Sequence, residues 1–153
     1  GAWAVIDYIF YYVEDRWEAS ELRQFSINVL EFAAECIGIF TLVDFAATIG
    51  VNFEHVLSFV DNTSAEFVSE RGRPGTDGMH HINKRRLSEL HKRKIHQKTS
   101  RVPSKTNLIA DLLSRGSIAE ALRFARSAGL PVVKLPCVER WRNLSEIPPT
   151  WDE

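Results

Sequence analysis

Three carboxylates at widely separated positions are the residues of this chain whose placement could support chemistry. Glu31, Asp61 and Asp111 each fall at the start of a predicted helix, and Asp61 also follows the apolar run of residues 56–60. Carboxylate oxygens are the hard ligands that Mg²⁺ and Mn²⁺ prefer. If the three side chains converge, they could hold two such ions for the cleavage of a phosphodiester.

Each of these carboxylates also has a simpler structural interpretation. Asn28 and Glu31 have the spacing of a capping box, with Asn28 as the N-cap. Asp61 could cap the helix that follows it, because its oxygen would accept a free backbone N–H. The helix dipole would favour Asp111 in a first turn. The residues alone leave both interpretations open.

The apolar pattern places these carboxylates on the elements of a mixed α/β domain. Residues 1–6 and 8–13 are rich in aromatic and β-branched residues and predict a hairpin. Residues 28–48 predict a long and largely buried helix. Residues 56–60 predict a short strand that is covered on both faces. Strands first, and then helices alternating with strands, indicate an α/β fold.

The second half of the chain continues the alternation. Further helices are predicted over 62–71, 79–95, 107–114 and 117–128, and further strands over 98–102 and 132–135. The helix over 79–95 should expose its bases and bury its apolar residues, which are Met79, Ile82, Leu87, Leu90 and Ile95.

The size and composition agree with one globular domain. The chain has 153 residues, of which 44% are hydrophobic, so it can bury a core. No apolar run free of charge reaches the roughly 18 residues that a membrane span needs. Cys36 and Cys137 form no metal-binding motif, and we expect a reduced, intracellular compartment, in the cytoplasm or nucleus. Since the first residue is Gly1 and the only methionine is Met79, we expect a piece of a longer polypeptide.

Charge is distributed unevenly along the chain. Residues 1–70 carry 12 acids and 2 bases, whereas residues 71–115 carry 12 bases and 3 acids. Such a division is either a set of solvated faces or an acidic metal site beside a surface for a polyanion.

Three segments in order carry a family resemblance. They are residues 27–34, residues 59–65 and residues 101–116, which contain Ile27-Asn28-Val29-Leu30-Glu31, Phe59-Val60-Asp61-Asn62-Thr63, and Asn107-Leu108-Ile109-Ala110-Asp111-Leu112-Leu113-Ser114-Arg115. They resemble the three downstream motifs of the ribonuclease H domain that follows the reverse transcriptase in many retroelements. The third segment is the most specific of the three. The resemblance spans residues 1–116 and leaves 117–153 as a C-terminal helix and an irregular tail.

The resemblance implies a fold, an activity and a set of partners. The fold would be ribonuclease H-like, with a mixed five-stranded sheet and helices on both faces. The activity would be hydrolysis of the RNA strand of RNA–DNA hybrids with two Mg²⁺ or Mn²⁺ ions. Glu31, Asp61 and Asp111 match three of the four metal-binding carboxylates of the family. The implied partners are the hybrid and a reverse transcriptase domain on the same polyprotein, with no membrane.

One departure from the family concerns the first carboxylate. The family places it on strand one, whereas Gly1-Ala2-Trp3 resembles the start of strand two. The missing aspartate would then lie upstream of Gly1, and the first strand would be truncated here. Asp7 is the alternative within this chain, although the residues after it continue as a strand rather than a turn.

A basic segment is the expected nucleic-acid surface. Nine bases and one acid lie between Lys84 and Lys105. They form either a solvated helix face or a set of phosphate contacts with strongly salt-dependent affinity. The residues expected to contact nucleic acid are Asn62, Lys84, Arg85, Lys92, Arg101, Lys105, Asn107 and Arg115.

Two functional hypotheses follow from these features. The first is a metal-dependent endonuclease acting on the RNA of RNA–DNA hybrids. The second is a catalytically inactive ribonuclease H-like connection or nucleic-acid-binding module of a decayed retroelement, which the missing first carboxylate favours. A related nuclease or integrase on the same fold is a third possibility, which fold alone would not exclude. The segment Ala110-Asp111-Leu112-Leu113-Ser114-Arg115 argues against it.

Overall fold

The aromatic start of the chain forms the predicted hairpin. A computed structural model describes residues 1–60, 77–103, 107–145 and 147. In it, strand β1 (Ala2–Ile6) pairs with strand β2 (Ile9–Val13) in antiparallel register. Asp7 and Tyr8 form the two-residue turn, with φ values of 50° and 64°. Positive φ at both positions gives the tight turn that matches the twist of a hairpin.

A long apolar helix follows a short helix that has no buried residue. Helix α1 (Ala19–Gln24) leads into helix α2 (Ile27–Thr48), which spans the predicted range. Helix α2 buries side chains on most of its sides, as a helix without a polar face must. Gly38 lets strand β1 lie close to α2, because a Cβ on Gly38 would stand 2.6 Å from the Cβ of Ala2.

The middle of the chain forms a parallel pair of strands joined through a helix. Strand β3 (His55–Val60) pairs with strand β4 (His96–Arg101), and helix α3 (Asp77–Arg93) lies between them in sequence. A helical crossover is the usual connection of parallel neighbours. Both strands agree closely with their predicted positions.

The last part of the chain adds short helices and one strand. Helix α4 (Leu108–Ser114) is followed by α5 (Ile118–Ala121) and α6 (Arg123–Ser127), where the sequence predicts one helix over 117–128. Strand β5 (Val132–Lys134) pairs in parallel with β2, and helix α7 (Glu139–Arg142) follows.

The first sheet, in the order β1-β2-β5, is covered on both faces. On one face Ile6 and Tyr11 pack with Ala46 of α2. On the other face Phe10 and Tyr12 pack with a cluster from helices α4 to α6, formed by Leu113, Ala121, Leu122 and Ala125. The strands of this sheet therefore lie inside a three-layer arrangement.

The second sheet, β3-β4, is covered by the described helices on one face only. Val56 and the fully buried Thr99 face the helices, whereas Leu57 is 54% exposed and Phe59 is 57% exposed. The prediction of a strand covered on both faces is therefore wrong. A continuous apolar run cannot show which of its alternating side chains meets a neighbour.

The α/β class is confirmed, but the single five-stranded sheet is not present in the described residues. They contain one sheet of three strands and one of two. Strands β1 and β3 each pair with one neighbour there, and no hydrogen-bonded ladder among the described strands joins them. Both sheets instead contact helix α2, which holds them in one body through side-chain packing.

The region beyond residue 116 contributes to the cores. Strand β5 extends the first sheet, and the Trp141 ring stacks on Phe40 of α2 at a centroid distance of 4.9 Å. Trp141 is only 2% exposed. The division of the chain at residues 116 and 117 stays a prediction.

Candidate functional site

Glu31 lies on α2, but it does not cap that helix. The N-cap is Ser26, whose Oγ accepts a hydrogen bond from the backbone N–H of Val29 at 3.5 Å. Glu31 stands beyond the first turn, and its side chain is half-buried. The capping-box interpretation of Asn28 and Glu31 is therefore wrong, because the helix begins two residues earlier than that spacing requires.

Asp111 lies in the first turn of α4, as predicted. Its Oδ2 atom forms an ion pair with Nη2 of Arg115 at 3.1 Å, one turn further along the helix. Asn107 is the N-cap residue, yet its side chain makes no capping hydrogen bond. The side chain of Asp111 is 27% exposed and that of Arg115 is 70% exposed. Arg115 can therefore leave this carboxylate without loss of buried packing.

One expected metal ligand and two residues of the expected nucleic-acid surface lie outside the described residues. Strand β3 ends at Val60, directly before Asp61 in the sequence. Asp61, Asn62 and Lys105 are not described. Within the ranges 1–60, 77–103, 107–145 and residue 147, no group of three or more His, Cys, Asp or Glu side chains is arranged to hold a metal. The metal site of Glu31, Asp61 and Asp111 stays a prediction.

Asp7 has a structural explanation of its own. It occupies the first turn position of the β1–β2 hairpin and is exposed. Aspartate tolerates positive φ better than most residues because its short side chain bonds locally. The expectation that the residues after Asp7 continue directly as a strand is wrong by one residue, since Tyr8 completes the turn.

The basic segment divides into outward and inward side chains. Among the described bases of the segment from Lys84 to Lys105, those exposed to solvent are Lys84, Lys92, Lys94, Lys98 and Arg101. Arg85 is half-buried, with its guanidinium 4.8 Å from the ring centroid of Trp141. The expectation that helix α3 exposes all its bases is therefore wrong for Arg86 and Arg93, which are described next.

Arg86 occupies a buried position of α3 where an apolar residue would be expected. It is 2% exposed, and its Nε and Nη2 atoms donate to Oδ1 of Asn83 at 3.2 and 2.8 Å. Its Nη1 atom donates to Oε1 of Gln97 on β4 at 2.8 Å. Leu87, expected inside, is 50% exposed, because the buried stripe of α3 passes through the neighbouring positions.

Arg93 joins α3 to α2. Its Nε and Nη2 atoms donate to the two carboxylate oxygens of Asp44 at 2.7 and 2.9 Å. Its Nη1 atom donates to Oε2 of Glu89 at 2.7 Å, and Glu89 is 3% exposed. The hydrogen bond with Asp44 and that with Glu89 raise the pKa of Arg93, although partial burial acts against them. This pairing is structural and removes Arg93 from any surface for phosphates.

Glu35 is the ionisable residue that the sequence hypothesis did not include. Its Oε1 atom accepts a hydrogen bond from Oγ1 of Thr99 at 2.5 Å, and its buried Oε2 atom has no hydrogen-bond partner among the described residues. Burial raises the pKa of Glu35 to about 7, while the Thr99 hydrogen bond and the charge of Arg86 lower it in part. The sequence feature that could have identified Glu35 is the presence of an acidic residue inside the apolar run of α2.

Glu35 ends a chain of polar side chains that crosses the second sheet. Gln97 donates from Nε2 to Oγ1 of Thr99 at 2.7 Å, and Thr99 in turn donates to Glu35. Because Gln97 also accepts from Arg86, the network connects α2, β4 and α3. Buried polar groups that satisfy one another in this way hold neighbouring elements in one arrangement.

Comparison with protein-family models, with curated proteins and with solved structures finds no match to this chain. Across the part of the chain that the structure describes, no helix has the length and hydropathy needed to cross a membrane.

Proposed function

We propose that this chain is the greater part of a retroelement ribonuclease H domain, a metal-dependent endonuclease that hydrolyses the RNA strand of RNA–DNA hybrids. The observation that carries the proposal is the order of the three acidic motifs on the elements. Glu31 lies near the start of α2, Asp61 follows the end of β3 in sequence, and Asp111 lies in the first turn of α4.

The position of Glu31 supports the proposal. Its competing role as a capping residue is excluded by the start of α2 at Ile27. Asp111 offers a partly exposed carboxylate, and its ion pair with the exposed Arg115 can open without disturbing the core. Both side chains are hard oxygen donors of the kind that Mg²⁺ takes. Together with Asp61 they would hold two ions, which would activate a water molecule and stabilise the leaving oxygen.

The arrangement of the strands is compatible with this proposal. Strands β1 and β3 both flank α2, and within the described residues each pairs along one edge. One additional strand between those two edges would join the two sheets into one mixed sheet. We propose that the first strand of the domain fills this place and carries the fourth carboxylate of the family.

Exposed bases on α3 and β4 would hold the hybrid. Lys84, Lys92 and Arg101 are exposed, so each can reach a phosphate from solvent. Such contacts would be independent of base sequence and would weaken steeply with salt. A hybrid-binding module without catalysis is the second candidate, because these bases do not depend on the acids.

Cleavage of a labelled RNA–DNA hybrid in Mg²⁺ tests the catalytic proposal. We expect the 153-residue chain to cleave poorly, because a two-metal site that lacks one carboxylate binds its ions weakly. A longer protein that includes the residues upstream of Gly1 should cleave, and Asp61→Asn should abolish that cleavage.

Asp7→Asn is the matched control, because it makes the same chemical change in an exposed hairpin turn that asparagine also fits. It should leave the cleavage rate unchanged. An inactive longer protein in both Mg²⁺ and Mn²⁺ would favour the non-catalytic module. A fully active short chain that Asp7→Asn inactivates would instead assign the first carboxylate to Asp7.

The salt dependence of hybrid binding tests the basic surface. Replacing Lys84, Lys92 and Arg101 together with glutamine should reduce the slope of log affinity against log salt by about 0.9 for each phosphate that these side chains neutralise. Lys134→Gln is the control, since Lys134 is 55% exposed on β5 and pairs with Glu14 away from this segment. An unchanged slope in the triple variant would mean that the segment is only a solvated face.

A further inference from the structure

The uncovered face of the second sheet presents rings and positive charge together. Alternation along β3 and β4 turns six side chains away from the helices: His55, Leu57, Phe59, His96, Lys98 and Ser100. Phe59 is 57% exposed, and the imidazole rings of His55 and His96 stack with centroids 5.4 Å apart. Leu57, which is 54% exposed, neighbours Phe59 on this face, and a contiguous exposed apolar patch indicates a surface that another molecule covers.

The charge of this face indicates the kind of molecule. None of the six outward side chains is acidic, although the first 70 residues carry 12 acids in all. Lys98 stands between the histidine pair and Phe59, in register with Leu57. Two further exposed bases lie near this face: Lys94 two residues before β4, and Arg101 as its last residue. The acids Glu54 and Asp61 flank β3 in sequence, so the positive charge at the centre of the face is that of Lys98, which can pair with an anion.

We propose that the outer face of β3 and β4 binds single-stranded nucleic acid by stacking bases on Phe59 and on the His55–His96 pair, with Lys98 contacting the backbone. Stacking needs unpaired bases, because a duplex hides the faces of its bases from the protein. Outward positions two residues apart along a β-strand are separated by about 6.6 Å. The ring of Phe59 and the histidine pair can therefore stack on different bases of one extended nucleic-acid strand.

This surface differs in kind from the phosphate contacts proposed for a hybrid. Lys84 and Lys92 are charges on a helix, whereas Lys98 lies on a sheet, opposite the exposed Leu57 and next to the Phe59–Ser100 pair. The inference rests on the geometry of β3 and β4 and not on catalysis. It adds to the proposed nuclease a place for the unpaired strand next to a hybrid.

Binding of a fluorescent oligothymidylate of about 12 nucleotides tests the proposal. Anisotropy titrations with the 153-residue protein in EDTA remove any contribution of a metal site. We expect Phe59→Leu to weaken binding by about tenfold, because leucine keeps apolar area but cannot stack. Phe59→Tyr should bind within about twofold of the wild type, since the ring remains, and it reports that the sheet still folds.

Phe124→Leu is the matched control. Phe124 is 52% exposed on α6, close to the value for Phe59, and it lies against Trp3 rather than on the second sheet. It should leave binding unchanged. Lys98→Gln should lower the slope of log affinity against log salt by about 0.7, the value for one phosphate of a single strand.

Three outcomes would overturn the proposal. They are a wild-type protein that does not bind the oligonucleotide, a Phe59→Leu variant that binds as tightly as the wild type, and a concentration-dependent dimer that Phe59→Leu dissociates. The last would assign the face to a second copy of the chain. Failure of the nuclease proposal is distinguishable, because loss of hybrid cleavage in Asp61→Asn leaves binding in EDTA unaffected.

Discussion

The two sheets of this protein contact the same helix but differ in what covers them. The sheet of β1, β2 and β5 lies between α2 and the short helices α4 to α6, and Phe10 at its centre is fully buried. In the part of the chain that the structure describes, the sheet of β3 and β4 has helices on one face only, where a polar network replaces part of the apolar packing. Its other face exposes Phe59.

This difference separates the parts of the molecule by role. The first sheet gains stability from apolar burial on two faces, which is roughly proportional to the area removed from water. The second sheet retains ionisable and hydrogen-bonding groups inside and aromatic and basic groups outside. We therefore expect substitutions in the first sheet to act on folding, and substitutions on the outer face of the second to act on binding.

The largest expected effect compares two phenylalanines. Phe10 is fully buried and stacks on Trp3 at a centroid distance of 5.2 Å, so Phe10→Ala should cost about 3–5 kcal/mol in the free energy of unfolding. Phe59→Ala on the second sheet should cost less than about 1 kcal/mol. Urea unfolding followed by circular dichroism measures both, and Phe10→Leu serves if Phe10→Ala does not fold. Equal costs would contradict the contrast between the sheets.

The next largest effect concerns Glu35, the buried acid beneath the second sheet. The pKa of Glu35 is raised from 4.5 to about 7, so folding favours its protonated form. Its contribution to stability is complete below pH 4.5 and is lost as the pH rises to about 7. The loss should reach up to about 3 kcal/mol. Glu35→Gln should remove this dependence and make the protein more stable than the wild type at pH 8.

Unfolding measured between pH 4 and pH 8 tests the Glu35 prediction. The exposed Glu120 provides the control, because Glu120→Gln makes the same change without burial. It should leave the pH profile of the wild type intact. A Glu35→Gln profile that runs parallel to the wild type across this range would mean that the carboxylate is hydrated in the folded state.

A smaller effect distinguishes two bases that contact the same acid. Arg93→Gln should cost about 2 kcal/mol, because it removes the partner of the buried Glu89 and the link to Asp44. Lys92 also contacts Glu89, at 3.5 Å, but its side chain is 60% exposed. Lys92→Gln should therefore cost less than about 0.5 kcal/mol. Similar costs for the two variants would show that the Arg93 pairs are as solvated as a surface ion pair.

The positions of most elements could be predicted from the sequence. Local sequence patterns were sufficient to predict four elements: the hairpin, the helix α2, the strand β3 and the helix that starts after Asn107. Contacts with distant parts of the chain do not change these elements. Short-range signals of this kind depend on backbone preferences and on the spacing of apolar residues. The helix start at Ser26 was not predicted, because Ser26 and Asn28 are both residue types that cap helices.

The candidate site could be predicted only in part. Glu31 and Asp111 stand on the elements expected of them, and Asp61 stays a prediction outside the described residues. The burial of Arg86 and the partial burial of Arg93 were not predicted, because a charged side chain is ordinarily expected to face solvent. Their partners, Gln97 and Asp44, lie on other elements and become neighbours only after folding.

By itself the sequence determined the hairpin, the long helix α2, the strands β3 and β4 with helix α3 between them, the acidic and basic halves, and the places of the three acidic motifs in the sequence. These properties depend on residues close together in the chain. Helix α1 was not predicted, and the predicted helix over 62–71 lies outside the described residues. The tertiary structure decided which face of β3 is covered, which bases point inward, and that Glu35 is a buried acid. Burial and pairing depend on elements that meet across long separations, so side-chain alternation predicts two faces of a strand but not which one meets a neighbour.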